Sequence, residues 1–184
     1  DVDKANVAQN RGTELALLLT VPAAIALVVI PEPIISVLFE RGAFGADASE
    51  ATAMALMAYA IGLPAYVGIR VFTPGFFARE DTATPVRIAA VSIVVNVALN
   101  LWLINYFGHV GIALASSISA WLNVVLLVFF LSRRGHYQAD RRLVMRIAGI
   151  LGASAVMAAV LWFGAAWAVP WLSGTIIEKV VSLT

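Results

Sequence analysis

Five stretches of this chain run for more than twenty residues with no more than two charged side chains in any of them. They are Glu14–Phe39, Ala51–Phe77, Val86–Phe107, Val110–Leu131 and Leu143–Val169. At about 1.5 Å rise per residue, each is long enough as a helix to cross a hydrocarbon layer of about 30 Å. The runs are continuous and lack the two-residue alternation of a barrel strand, so helices are expected. The composition agrees. Apolar residues make up 61% and charged residues 12%, with a mean hydropathy of +0.92. Soluble domains hold about 45–50% and about 25%. Such a chain cannot cover a water-facing surface. With no Cys there is neither a disulfide framework nor a thiolate metal site. The net charge of +1 says little about partners, and no nucleic-acid partner is expected.

No secretory-signal pattern opens the chain at Asp1. After Pro170 a new apolar pattern starts in WLSGTIIEKVVSLT and stops short of a crossing. The expectation is an all-α, polytopic transmembrane bundle. It would hold five complete spanning helices and an incomplete sixth, without a soluble domain, as a piece of a larger membrane protein.

The boundaries carry local chemistry. Asp47 and Glu50 suit a capping box at the start of the second helix. Thr84 and Pro85 suit an N-cap and first helical position for the third. Pro22 and Pro64 fall inside runs, where each removes a backbone donor and should kink the helix. Pro74 and Gly75 stand near the end of the second run and join them as candidate gating or structural positions. IPEP at Ile30–Pro33 should break the first helix near its end, and GHVG at Gly108–Gly111 should be a tight turn.

Basic residues set orientation. Lys4 and Arg11, then Arg79 and Arg87, then Arg133, Arg134, Arg141, Arg142 and Arg146 fall on one side; only Arg41 and Lys179 fall on the other. The first side, with the N-terminus, is expected to be cytoplasmic.

Among candidate functional residues Arg70 comes first. It precedes Arg79 by about 13 Å of helix, so it lies at bilayer depth. A charge at the helix centre costs about 2.5–3.5 kcal/mol on insertion scales. Either it binds an anion, phosphate being the natural guest of a planar fork of donors, or it snorkels or pairs with a carboxylate on another helix. Ser92, Asn96 and Asn100 form a polar stripe at helical spacing on the third run, and Ser116, Ser119 and Asn123 form another on the fourth. Facing stripes either bond helix to helix or offer oxygens to a cation. Ala148 and Gly152 make a small-residue pair suited to close packing, and Trp162, Trp167 and Trp171 suit an outer aromatic belt. The loop RRGHYQADRR either binds anionic lipid or only sets topology. No phosphate-binding glycine loop, zinc motif or nucleophile–base pair is seen, so no enzyme is expected.

LFERGAF (Leu38–Phe44), YAIGLPAYVGIRVFTPGFFAREDTATPVRIA (Tyr59–Ala89) and GHVGIALASSIS (Gly108–Ser119) together resemble the MurJ/MviN lipid II flippases of the multidrug/oligosaccharidyl-lipid/polysaccharide exporter superfamily. The resemblance covers essentially residues 1–184 and corresponds to a member's C-terminal part, from about the ninth helix into the fourteenth. It implies alternating access in the bacterial inner membrane and an undecaprenyl-pyrophosphate-linked peptidoglycan precursor as cargo. It also implies membrane lipids and an absent N-terminal lobe as partners. Arg70 matches a basic position of the tenth helix and becomes the substrate-binding candidate. Asn96, Asn100 and Ser116 match a region where some members hold sodium, so a coupling sodium ion is the implied cofactor. Where those members carry Asp this chain has Asn100, which removes a formal charge. The alternatives are export of another polyprenyl-linked sugar or a drug, and a non-transporting membrane scaffold.

Overall fold

The computed structural model describes residues 2–39 and 45–172, and among them every long element is a helix. These are α1 (Val2–Val29), α2 (Pro31–Phe39), α3 (Ala46–Phe77), α4 (Ala83–Arg133) and α5 (Arg141–Leu172). Four helices are long and apolar enough to cross a membrane. The loop 40–44 with Arg41, and residues 173–184 with Lys179 and the expected sixth crossing, lie outside the described residues, as does the Trp171 side chain.

The 51-residue α4 is not one rod. Gly108 alone leaves helical geometry, with φ 55° and ψ −132°. The Asn96 amide donates to Ser119 Oγ at 3.0 Å. In a straight helix those residues would stand about 34 Å apart. The chain therefore doubles back, and residues 83–107 and 109–133 are antiparallel arms. A Cβ added at Gly111 would fall 2.5 Å from the Leu103 carbonyl oxygen, so glycine permits the arms to meet just inside the turn. The expected four-residue turn is shorter than anticipated, since His109 and Val110 are already helical. His109 Nε2 lies 3.0 Å from Ala51 O and ties the tip to the start of α3.

α3 and the second arm of α4 run parallel. Ser117 Oγ donates to Ala58 O at 2.6 Å and Trp121 Nε1 to Ile61 O at 2.9 Å. Gly62 and Gly68 face Ser117 and Val124 so closely that a Cβ would come within 2.6 Å and 2.8 Å. Small residues bring the backbones together, as membrane helices need when lipid gives no hydrophobic drive for association. The core continues through Phe72, Phe76, Leu127 and Leu131. Tyr137, from the α4–α5 loop, packs edge-on against Phe72 at 5.2 Å. Burial pushes its phenol above the ordinary range, offset in part by a hydrogen bond with Thr13.

Several boundaries differ from expectation. α1 starts at Val2, well before Glu14, because its first turns are packed in polar company: Gln9 donates to Val71 O and Asn10 to Gln138 O, both at 3.0 Å, and Asn6 accepts from the Gln138 N–H. The break at IPEP is confirmed, with α2 following at once. The Asp47–Glu50 capping box does not form. Gly45 is the N-cap and supplies no side-chain bond; Asp47 sits in the first turn, near the positive end of the helix dipole. Nor is Thr84 an N-cap. α4 starts at Ala83, and the Asp81 carboxylate accepts the Thr84 N–H at 3.0 Å. α5 is capped by Asp140, whose Oδ1 accepts from Leu143 N at 2.6 Å. Among the described residues the Ala148/Gly152 pair meets no partner helix: both residues are exposed, and a Cβ on Gly152 would meet no atom within 4 Å.

α3 and α4 end in the same way. Asp81 N bonds Phe76 O and Glu80 N bonds Phe77 O; His136 N bonds Leu131 O and Gly135 N bonds Ser132 O. Both are Schellman closures, which place one residue in the left-handed region. Gly135 takes it at φ 72° without steric cost, whereas Glu80 takes it at φ 60° against its own Cβ.

Candidate functional site

α3 buries one side against the second arm of α4 and another against α1. The remaining face carries exposed Tyr59, Arg70 and Phe77. Arg70 makes no hydrogen bond, ion pair or ring contact among the described residues. The backbone beside it is loosened. Pro74 has no N–H to give the Arg70 carbonyl, four residues back, so the helical ladder skips a rung there. α3 nevertheless runs through Pro74 and Gly75 to Phe77. Gly75 is buried because Gln9 Oε1 would lie 2.8 Å from any Cβ there. Pro64 lines an apolar cavity and Pro22 lies within α1 beside it.

The expected stripes meet. Tyr66 and Ile69 of α3 join both arms of α4 around a groove of about 320 Å³ that holds Asn96, Ser116, Ser119 and Asn123. Asn100 Nδ2 donates to Asn96 Oδ1 at 3.0 Å, and Asn96 Nδ2 in turn to Ser119 Oγ. Ser116 Oγ donates to Ile112 O on its own helix, which leaves its lone pairs available. In this network Asn100 Oδ1 is buried without a donor, as Asn10 Oδ1 and Ser154 Oγ are elsewhere among the described residues. Asn96 and Ser116 share the groove, and Asn100 adjoins it through its bond to Asn96, while Arg70 lies outside it, about 40° round α3 from Tyr66. Among the described residues no three His, Cys, Asp or Glu side chains gather as a metal cage would require.

A second opening lies between α1, α3, α4 and α5. It is a cavity of about 970 Å³ with almost wholly apolar walls, among them Leu17, Phe72, Trp121, Phe129 and Ile150.

Charged groups collect at the end where the α3–α4 and α4–α5 loops lie. Asp81 is paired with Arg134, and Arg134 Nη2 also reaches Thr84 Oγ1 at 3.0 Å. The Thr84 hydroxyl and N–H, then Arg134, hold the Asp81 carboxyl well below the usual carboxylate range. Arg79 bonds Gly75 O at 2.6 Å and reaches His136 O at 3.4 Å. Glu14 sits among Arg11, Arg142 and Arg146, at 2.9, 3.9 and 3.4 Å. The sequence marks Asp81, with Glu80, as a helix cap or loop salt bridge, and Asp81 is both: it accepts the Thr84 N–H and pairs with Arg134; Glu14 was not singled out. The signal for Glu14 was its place as a lone acid at the basic end of an apolar run; its partners in α5 are too distant in sequence for spacing to reveal them.

The family model described as "Lipid II flippase MurJ" matches residues 1–182. A "Probable lipid II flippase MurJ" of Rhizobium meliloti (strain 1021) is 44% identical over 167 residues, covering 91% of this chain and 31% of the relative. The protein of that name from Rhizobium tropici is 45% identical over 159 residues, covering 86% and 30%. The "Lipid II flippase MurJ" of Burkholderia cenocepacia is 34% identical over 150 residues, covering 82% and 29%. A solved structure, "Lipid II flippase MurJ, inward closed conformation", superposes with a TM-score of 0.79 at 26% identity, over 89% of this chain and 34% of the other. The chain thus spans about a third of the length of the relatives it matches.

Proposed function

The chain belongs to the MurJ lipid II flippase family, and on that premise we propose that it forms part of a transporter carrying a lipid-linked peptidoglycan precursor across the bacterial inner membrane. It contributes five crossings, α1, α3, the two arms of α4 and α5. The loop end rich in arginine lies in the cytoplasm, together with the start of α1. Elements beyond this chain complete the transport path, and access alternates between the two sides of the membrane. The reading is transport and not catalysis.

The observation that carries this reading is Arg70. It lies about 13 Å into α3 from Arg79, is exposed, and has no counter-ion among the described residues. A guanidinium at that depth needs water or an anion. A pyrophosphate-bearing headgroup supplies the anion, and the planar fork of donors suits it in bidentate fashion. The test replaces Arg70 in the intact protein and follows lipid II flipping in vesicles. Arg70→Ala should lower the rate roughly ten- to hundredfold, the worth of a hydrogen bond to a charged group at about 1.5–3 kcal/mol. Arg70→Lys should recover only part of it. Flipping at the parental rate in Arg70→Ala would remove Arg70 from the path and leave export of another polyprenyl-linked sugar or drug, or a scaffold, as the readings to pursue.

A bound sodium ion is the second reading for the groove, and the orphaned Asn100 Oδ1 favours it. The oxygens of Asn96, Asn100 and Ser116 are hard neutral donors of the kind such an ion accepts. Sodium should then raise the melting temperature of the intact protein above its value in potassium, and Asn100→Ala should erase the difference. Equal melting in both salts would leave interhelical hydrogen bonding as the groove's role.

A further inference from the structure

We propose that the crevice between α1 and α5 seats an anionic phospholipid of the surrounding bilayer, with its phosphate against Arg142 and Arg146 and its acyl chains lying along α5. The crevice encloses about 790 Å³. Its charged end holds Glu14, Arg142 and Arg146; its remaining wall is Leu18, Met145, Gly149, Ile150 and Ala153. One end therefore suits an ionic headgroup and the rest suits hydrocarbon.

The charges do not balance. Arg11, Arg142 and Arg146 share one carboxylate, which leaves a surplus of two positive charges. Glu14 is spent mainly on Arg11, at 2.9 Å. Arg142 approaches it only to 3.9 Å, beyond hydrogen-bond range, and the α5 arginines remain 56% and 61% exposed. Each keeps most of its five N–H donors for a ligand. Arg142 and Arg146 stand one helical turn apart, so both guanidiniums can address one phosphate from the same side.

The apolar part is open. Gly149 lacks a side chain, and a Cβ there would meet no atom within 4 Å. Glu14 stands one turn of α1 inward from Asn10, which bonds Gln138 O of the α4–α5 loop, so the charged end borders the basic end of the bundle, within reach of a headgroup phosphate. A free phosphate would satisfy the arginines and leave the apolar wall bare; a phospholipid covers both. The crevice is also separate from the Arg70 face. Val71 and Gly75, which meet α1, stand about 100–140° round α3 from Arg70. The bound lipid is thus a resident of the bundle's side and not the cargo in its path.

The test uses the intact protein in detergent, titrated with phosphatidylglycerol, phosphatidylcholine or inorganic phosphate and read by native mass spectrometry and melting temperature. Phosphatidylglycerol should bind and stabilise, and phosphatidylcholine should do neither. Each arginine removed should cost about fivefold in affinity, so Arg142→Gln with Arg146→Gln should weaken phosphatidylglycerol binding about thirtyfold. The corresponding double Lys variant should return to within about fivefold of the parent. Glu14→Gln removes the competing carboxylate and should tighten binding several-fold. That gain separates a lipid site from a purely structural ion cluster, and it decides the matter should the double Gln variant not survive purification. Equal binding of both lipids, an unchanged double variant, weaker binding in Glu14→Gln, or full competition by inorganic phosphate would each overturn the proposal.

Discussion

The seam between α3 and the second arm of α4, and the face between α1 and α5, use similar residues to opposite ends. Both are rich in Gly and Ala. Along the seam, Gly62 and Gly68 bring backbones so close that a methyl group has no room, and Ser117 and Trp121 bond across to main-chain carbonyls. On α5, Gly149 and Gly152 face no atom of the described residues within 4 Å of a Cβ, and the α1–α5 side opens into the apolar cavity and the crevice. Small residues permit contact but do not cause it. Contact follows where polar anchors and large neighbours such as Phe76 and Leu127 complete the fit. One region is a rigid strut, and the other keeps room for something else.

Paired substitutions in the intact protein test that difference. The largest effect is expected from enlarging buried alanines. Ala65, fully buried in the core, should cost about 1–3 kcal/mol on change to Leu through overpacking. Ala158, on the apolar cavity, should accept Leu within about 0.5 kcal/mol. Unfolding in detergent micelles measures both, and an equal penalty at Ala158 would mean that the cavity is filled by elements outside this chain. A smaller pair changes sign. Gly62→Ala should destabilise by about 1 kcal/mol or more, because its Cβ meets the Ser117 backbone. Gly152→Ala should stabilise by up to about 1 kcal/mol through helix propensity alone.

The smallest effect concerns the loop that closes the strut. Asp81 is held below its ordinary pKa by Thr84 and Arg134, so its contribution is fully present above the usual carboxylate range and fades progressively as pH falls below that range. Asp81→Asn should therefore lower stability slightly at neutral pH and flatten the acid limb of a stability–pH curve. An acid limb identical to the parent's would show that the pair adds nothing in solution.

Much of the architecture was legible because it is written locally. Uninterrupted apolar runs marked the long apolar helices, Pro31 and Pro33 marked the break before α2, and Gly108 marked the reversal in α4. The facing polar stripes followed once that reversal placed Asn96 opposite Ser119. Caps were misread at Asp47 and Thr84 because a competing acceptor two or three residues earlier, Gly45 O or Asp81, set the first turn. The glycine seam escaped notice because Gly62, Gly68 and Gly75 are spaced by six and seven residues and not by four. The Glu14 cluster depends on two helices at opposite ends of the chain, and only packing brings them together. Arg70 was picked out by charge alone; the face it occupies depended on which sides of α3 the neighbours cover.

The Asn10–Gln138 bond, the Asp140 cap and buried Leu143 clamp the first turn of α5, while Trp162, Phe163 and Trp167 near its other end stand exposed. A rod gripped along its first half, where Ile150 and Ser154 are also buried, turns small rotations into travel at its tip. About nine residues separate Ser154 from Phe163, a lever of about 14 Å, so a tilt of about 5° carries the tip about 1 Å. Whatever loosens the clamp widens the gap beside α1 most on the side of the membrane farthest from the arginines.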